Sequence, residues 1–352
     1  MIAGGRARFG ATPPPAGVTV ESLSSVLASD PEALRSTLGS AVESAQFAAL
    51  NDALFADGVV IRIAANAQVD TPVHVVYGAQ RGSAPTATYP RVLFIAEPSS
   101  RCSLVESFVE SEGAGEARHL TNAVTEVIVR DGARVEHVRF TDGTERSLQL
   151  AYLGVRLGRD AFYGSRVVTL GGALSRLELT VEFSGPGAEV ELDGAYHAGG
   201  RDHVDHHVRV EHRAPHCQSR VRYRGLLDGH GHAVFDAIGV VHKDAVGSAA
   251  HQENRNLLGS EDAVVHTKPH LEIECDDVTA SHGATVGTLD AAQLFYLRSR
   301  GIAREEAEGI LTYAFVREVI DRIKHPPLLQ RASDSMLARL PNGDLLSEGA
   351  VS

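Results

Sequence analysis

Apolar and polar residues alternate with a period of two over most of this chain. From Val59 to about Thr285 short runs of this kind follow one another. They include 59–63, 73–77, 92–95, 103–109, 123–129, 135–140, 148–157, 174–183, 190–196, 208–212, 220–227 and 234–241. Such runs predict half-buried strands. No amphipathic helical period interrupts them. Turn residues punctuate them at Asp131-Gly132, Asp142-Gly143, Gly171-Gly172, Gly199-Gly200 and Asp228-Gly229. Their spacing of roughly 12 to 15 residues is even, as in sandwiches, barrels and solenoids. Two such units make a coil of roughly 27 residues. One sandwich or barrel seldom uses so many strands, so the rhythm favours a stacked β-helix, with a large distorted sandwich as the alternative.

The period changes at both ends. Residues 1–18 are rich in Gly, Pro and Ala and are expected to be disordered. Residues 19–58 are expected to form a truncated helical region. Asp30-Pro31-Glu32 is its clearest helix start, with a capping carboxylate followed by proline at the first helical position. The β core is placed at 59–287. A helical domain follows at 288–340, with Asp290 as N-cap, Gly301 as a stop, and an apolar stripe of Ala307, Ile310, Leu311, Ala314, Phe315, Val319, Ile320 and Ile323. Residues 341–352 are expected to be a loose tail.

Charge and composition narrow the function. Lys and Arg total 33 against 45 Asp and Glu, a net charge of −12, with no basic stripe. Nucleic acid is therefore not an expected partner. No apolar run approaches a membrane span and no apolar leader opens the chain, so it reads as cytoplasmic. Cys102, Cys217 and Cys275 are odd in number and far apart, which fits free thiols. Cys275 alternates with Leu271 and Ile273 and is expected in the core; Cys217, after Pro215 at a turn, is expected nearer the surface. The chain has no GxxxxGK[ST], GxSxG or HExxH pattern.

Seventeen histidines are the outstanding chemical feature. His203, His206, His207 and His212 crowd one strand, a candidate metal patch set against the plainer reading of surface or rung-stacked histidine. On that strand His206, Val208, Val210 and His212 share a side, with the valines inward and the histidines at the strand ends. His282 stands apart, between a turn and the small residues Gly283-Ala284-Thr285.

Several segments resemble a known family. They are Lys268-Pro269-His270-Leu271-Glu272-Ile273, Asp276-Asp277-Val278, Ser281-His282-Gly283-Ala284-Thr285-Val286-Gly287 and Phe295-Tyr296-Leu297-Arg298-Ser299-Arg300-Gly301-Ile302. Together they resemble the D branch of the SufB/SufD family of iron–sulfur cluster assembly scaffolds. Gly283 and Leu297 stand where the B branch carries an acidic residue and a cysteine. The resemblance implies a right-handed parallel β-helix between helical ends and a non-enzymatic scaffold subunit. It implies a heterodimer with a SufB-like scaffold through the β-helices, and docking of a SufC-like ABC ATPase, which hydrolyses the ATP, on the C-terminal helices. His282 matches the family's interfacial histidine, flanked by Ser281, Gly283, Ala284 and Thr285. Phe295, Tyr296, Arg298, Arg300, Gly301, Ile310 and Phe315 are the corresponding docking residues. No cofactor is expected to stay on the isolated chain; iron or an iron–sulfur cluster is expected at the SufB interface. Two features depart from the pattern. Ala280 stands where relatives often carry cysteine, and most of the usual N-terminal helical domain is missing before Val18. The competing readings are a stand-alone His-rich metal-binding solenoid and a polysaccharide-acting β-helix. The second lacks a leader and has only 5% aromatic residues for sugar stacking.

Overall fold

The computed structural model describes residues 1–3, 6–10, 13–42, 46–79, 83–110, 117–340 and 343. The tail expected at 341–352 lies, apart from Gly343, outside the described residues. The alternating runs become rungs of a parallel β-solenoid with two walls. The first wall stacks Val73–Ala79, Arg101–Glu110, Arg134–Asp142, Phe162–Leu170, Glu189–Ala198, Gln218–Leu227, Ser248–Leu258 and Val278–Gly287. The second stacks Gly58–Ile63, Arg91–Ala96, His119–Val129, Ser147–Leu157, Leu174–Phe183, His203–His212, His232–Val241 and Val264–Ile273. The chain crosses from one wall to the other at each turn and returns in the same direction one rung on, so neighbouring rungs pair in parallel.

Register fixes what lies inside. Leu177, Leu179, Val181 and Phe183 stand beside His206, Val208, Val210 and His212, and these beside Phe235, Ala237, Gly239 and Val241. Such columns from both walls meet in one apolar core. A fully buried Val, Leu or Phe contributes about 1.5–3 kcal/mol, so stacking on both neighbours stabilises a rung that could not stand alone.

The structure differs from expectation at the N-terminus. Ile2–Ala3 pairs in parallel with Val73–Ala79, and Ile2 is buried. Val18–Ser22 adds an antiparallel strand to Gly58–Ile63. These segments are ordered because they satisfy the otherwise open first edges of both walls. Helix α1 covers Leu23–Ser29, while Asp30-Pro31-Glu32 opens only a 3-10 turn, Pro31–Leu34, with Asp30 accepting from the Ala33 amide. Helix α2, Gln46–Leu54, lies on the outside of the second wall. The Asn51 side chain donates there to the carbonyls of Pro90 (3.1 Å) and Asn122 (2.8 Å). Cys217 is also not at the surface: it is fully buried, its Sγ donating to the Gly185 carbonyl at 3.4 Å.

At the other end are α3 (Ala291–Ser299), α4 (Arg304–Ile320) and α5 (Pro326–Leu337). Helices α4 and α5 cover the outer face of the first wall. Val316, Val319, Ile320, Leu328, Ala332 and Met336 pack on Val138, Phe140, Val168, Ala195 and Leu226. Arg224, almost wholly buried, meets Glu318 at 2.9 Å, and Arg339 meets Asp142 at 2.6 Å.

Candidate functional site

The strands Val278–Gly287 and Val264–Ile273 are the last rungs of the two walls. Val278, Ala280, His282, Ala284 and Val286 continue the inward column of Ser248, Ala250, Gln252, Asn254 and Asn256, with His282 beside Gln252. Those five predecessors are buried. Their successors from His282 onward are exposed, because no further rung among the described residues lies over them. His282 therefore occupies a core position at an open end. Val286 (47%) and Ile273 (46%) are exposed large apolar residues in the same situation. Ser281, Gly283 and Thr285 fall on the opposite, outward side of the strand; the Ser281 hydroxyl meets His251 Nδ1 at 2.8 Å. The five residues expected to share an interface thus share a strand but not a face. His282 and Ala284 belong to the bare inner surface, the other three to the rim.

A single imidazole cannot by itself hold an ion. Among the described residues no group of three or more His, Cys, Asp or Glu side chains is arranged around a metal position. Ala280 offers no thiol beside His282, and Cys275 is buried. Any iron held at His282 would need further ligands from beyond the described residues.

Asp290 accepts hydrogen bonds from the Ala292 and Gln293 amides at 2.8 and 3.0 Å, and Gly301 adopts φ +88° at the stop. Both follow the expectation. Helix α3 buries no residue, and Phe295 (74%) and Tyr296 (57%) face outward. A cavity of about 620 Å³ lined by Leu257, Leu289 and Leu294 separates it from the end of the first wall. With so little packing, α3 depends on its cap. Asp290→Ala is expected to lose about 1 kcal/mol of helix stability and to speed amide exchange in α3 while leaving the rungs protected; unchanged exchange in α3 would count against this. The expected stripe on α4 divides. Val319, Ile320 and Ile323 pack on the solenoid and Ala307 is buried, while Ile310 and Leu311 are half-buried and Ala314 is exposed. Phe315 packs against the wall beneath Arg224, whose guanidinium lies 6.0 Å from the ring centre.

The four histidines of the 203–212 strand are not brought to one point. His206 and His212 point into the core beside the valines and are not at its margins. His206 Nε2 meets Thr169 Oγ1 at 3.2 Å, between the rings of Tyr196 and Tyr223. His212 Nε2 meets Ser219 Oγ at 2.8 Å. Burial pushes both imidazoles down to about 4. His203 and His207 face outward, His207 paired with Asp205 at 2.7 Å.

One interior group escaped the sequence reading. Glu106 is wholly buried in the first wall, facing Tyr77, Thr125, His137 and Arg139. Its signal was present: Glu106 sits between Leu104 and Phe108 at inward parity, as Arg139 does on the next rung.

Residues 77–315 match the family described as SUF system FeS cluster assembly, SufBD core domain, and residues 9–75 match the SufBD protein N-terminal region. An iron-sulfur cluster assembly SufBD family protein of Mycobacterium leprae is 32% identical over 286 residues, covering 79% of this chain and 70% of that protein. The iron-sulfur cluster assembly protein SufD of Escherichia coli is 32% identical over 271 residues, covering 77% of this chain and 63% of its own length. SufD of Bacillus subtilis is 29% identical over 286 residues, covering 81% and 64%. Among the described residues no helix is long and apolar enough to cross a membrane.

Proposed function

The chain belongs to the SufBD family of iron–sulfur cluster assembly proteins, and from that premise we propose that it is the SufD-like, non-catalytic scaffold subunit of a larger cytoplasmic assembly. The observation that carries the proposal is the open end of the solenoid. Among the described residues both walls stop at rungs whose outer backbone edges have no strand beside them, and the inner surface between them is bare. Unpaired edges of this kind are templates for strand addition. A SufB-like solenoid docked there would continue both walls and bury Ile273, Val286 and His282 together. His282 then supplies one borderline nitrogen ligand to iron or to a nascent cluster, and the partner supplies thiolate. With Ala280 in place of cysteine, this chain's share at that point is the imidazole alone.

Helix α3 is the proposed seat of a SufC-like ABC ATPase, which brings the ATP hydrolysis. Phe295 and Tyr296 are its apolar anchors, with Arg298 and Arg300 beside them and Gly301 ending the helix; Ile310 continues the surface on α4. Exposed aromatic and arginine side chains are the residue types that most often anchor interfaces. Phe315 contributes by holding α4 on the wall.

Co-expression with the SufB-like and SufC-like proteins of the same source tests both contacts. The expected native mass corresponds to one copy of this chain, one SufB-like chain and two SufC-like chains. Phe295→Ala with Tyr296→Ala is expected to release the ATPase from this chain and to keep the SufB-like contact. His282→Ala is expected to assemble normally and to lose iron-dependent cluster formation at least tenfold. Full cluster formation in the assembled His282→Ala complex would remove the ligand role, and no association of the folded chain would remove the docking assignments.

A further inference from the structure

A second histidine group lies on the outer face of the second wall, away from the open end's inner surface. His203 begins one rung, His232 stands beside it on the next, and His266 lies on the rung after, one outward position further along. The Nδ1 atoms of His203 and His232 are 3.2 Å apart. Their ring centres are 4.6 Å apart with planes tilted by 32°, so the rings lean together at their Nδ1 edges. The His266 ring centre lies 5.2 Å from that of His232. Asp205, the next outward residue on the His203 strand, adds negative charge near His232.

Two imidazole nitrogens bound to one tetrahedral zinc at 2.0–2.1 Å stand roughly 3.3 Å apart. The observed Nδ1 separation meets that spacing without movement of the backbone. We propose that His203, His232 and His266 form a surface site for a borderline divalent transition-metal ion such as Zn²⁺. Nδ1 of His203 and of His232 are two of its ligands, His266 is the third after rotation of its side chain, and water completes the shell. A hydrogen bond between two Nδ1 atoms holds one proton between like acceptors; a divalent ion satisfies both lone pairs and gives His266 a partner. Because its ligands come from three successive coils, bound metal ties together the last three rungs of the second wall. Imidazole donors favour zinc, copper, nickel or iron over magnesium or calcium. The site is independent of the scaffold reading, since His282 belongs to the inner surface of the other wall.

The test is titration of the metal-free full chain with Co²⁺, followed by its visible absorption, and displacement by Zn²⁺. The expected result is one saturable equivalent per chain, weakened at least tenfold by His232→Asn or His203→Asn, weakened less by His266→Ala, and unchanged by His282→Ala. Zn²⁺ is expected to raise the melting temperature of the unaltered chain and not that of His232→Asn, whose amide keeps a polar side chain in the stack. Absence of saturable binding, binding unchanged in a correctly folded His232→Asn chain, or loss of binding in His282→Ala would each overturn the proposal.

Discussion

Glu106→Ala is expected to cost about 3–5 kcal/mol, the usual loss when one partner of a buried ion pair is removed. In a chain of this size that lowers the melting temperature by roughly 4–7 °C. Glu106 Oε2 accepts from Arg139 Nη1 at 2.9 Å and meets His137 Nε2 at 3.1 Å, and Oε1 accepts from Thr125 Oγ1 at 2.7 Å and from the Tyr77 hydroxyl. Truncation leaves the Arg139 guanidinium, itself nearly inaccessible, without its counter-charge. The double change Glu106→Leu with Arg139→Met removes both charges and is expected to lose less than Glu106→Ala alone. Thermal or urea unfolding of the three chains decides it, and a Glu106→Ala chain within about 1 kcal/mol of the parent would refute the argument.

The same site predicts an acid limb. Burial alone would raise the Glu106 pKa, but the Arg139 charge, with the hydrogen bonds from His137 and Tyr77, outweighs it and holds the carboxyl well below the usual range. A depressed folded pKa means stability that is fully present above the unfolded value of about 4.3 and is lost as pH falls below it.

Two histidines act earlier on the acid side. His206 and His212 have folded values of about 4, because burial opposes the charged ring. Unfolded histidine titrates near 6.5. Between those values the unfolded chain binds protons that the native interior refuses, so stability is expected to fall as pH drops from about 6.5 toward 4. Each ring contributes on the order of 3 kcal/mol to that fall. The chain with both His206→Gln and His212→Gln keeps side chains able to reach Thr169 and Ser219 but cannot titrate. It is expected to show a flatter stability profile over this window with the limb below about pH 4 unchanged. Parallel profiles for the two proteins would show that these rings do not carry the slope.

The histidine strand shows how far sequence reading reaches. Period two correctly grouped His206 and His212 with Val208 and Val210, and so placed all four on one face. It did not reveal that the histidines are wholly enclosed. Their enclosure comes from Phe183, Tyr196, Tyr223 and Phe235, residues many positions away that register and the facing wall bring beside them. The pairing of His203 with His232 is equally invisible locally, since it depends on the length of the intervening coil. The strands at Ile2–Ala3 and Arg6–Ala7, inside the stretch expected to be disordered, were hidden for a related reason: composition says nothing about an open sheet edge waiting to be paired.

By itself the sequence determined the local facts: the strand period, the turn positions, the Asp290 cap, the Gly301 stop and the motif around His282. These depend on near neighbours, whose geometry the backbone dictates. Only the tertiary structure decided that Glu106 and Arg139 met inside the core and that α3 stood free. It also decided that the rung carrying His282 was the last. Burial at any position of a stacked fold is set by the rung on either side, and at His282 the described residues supply only one of them.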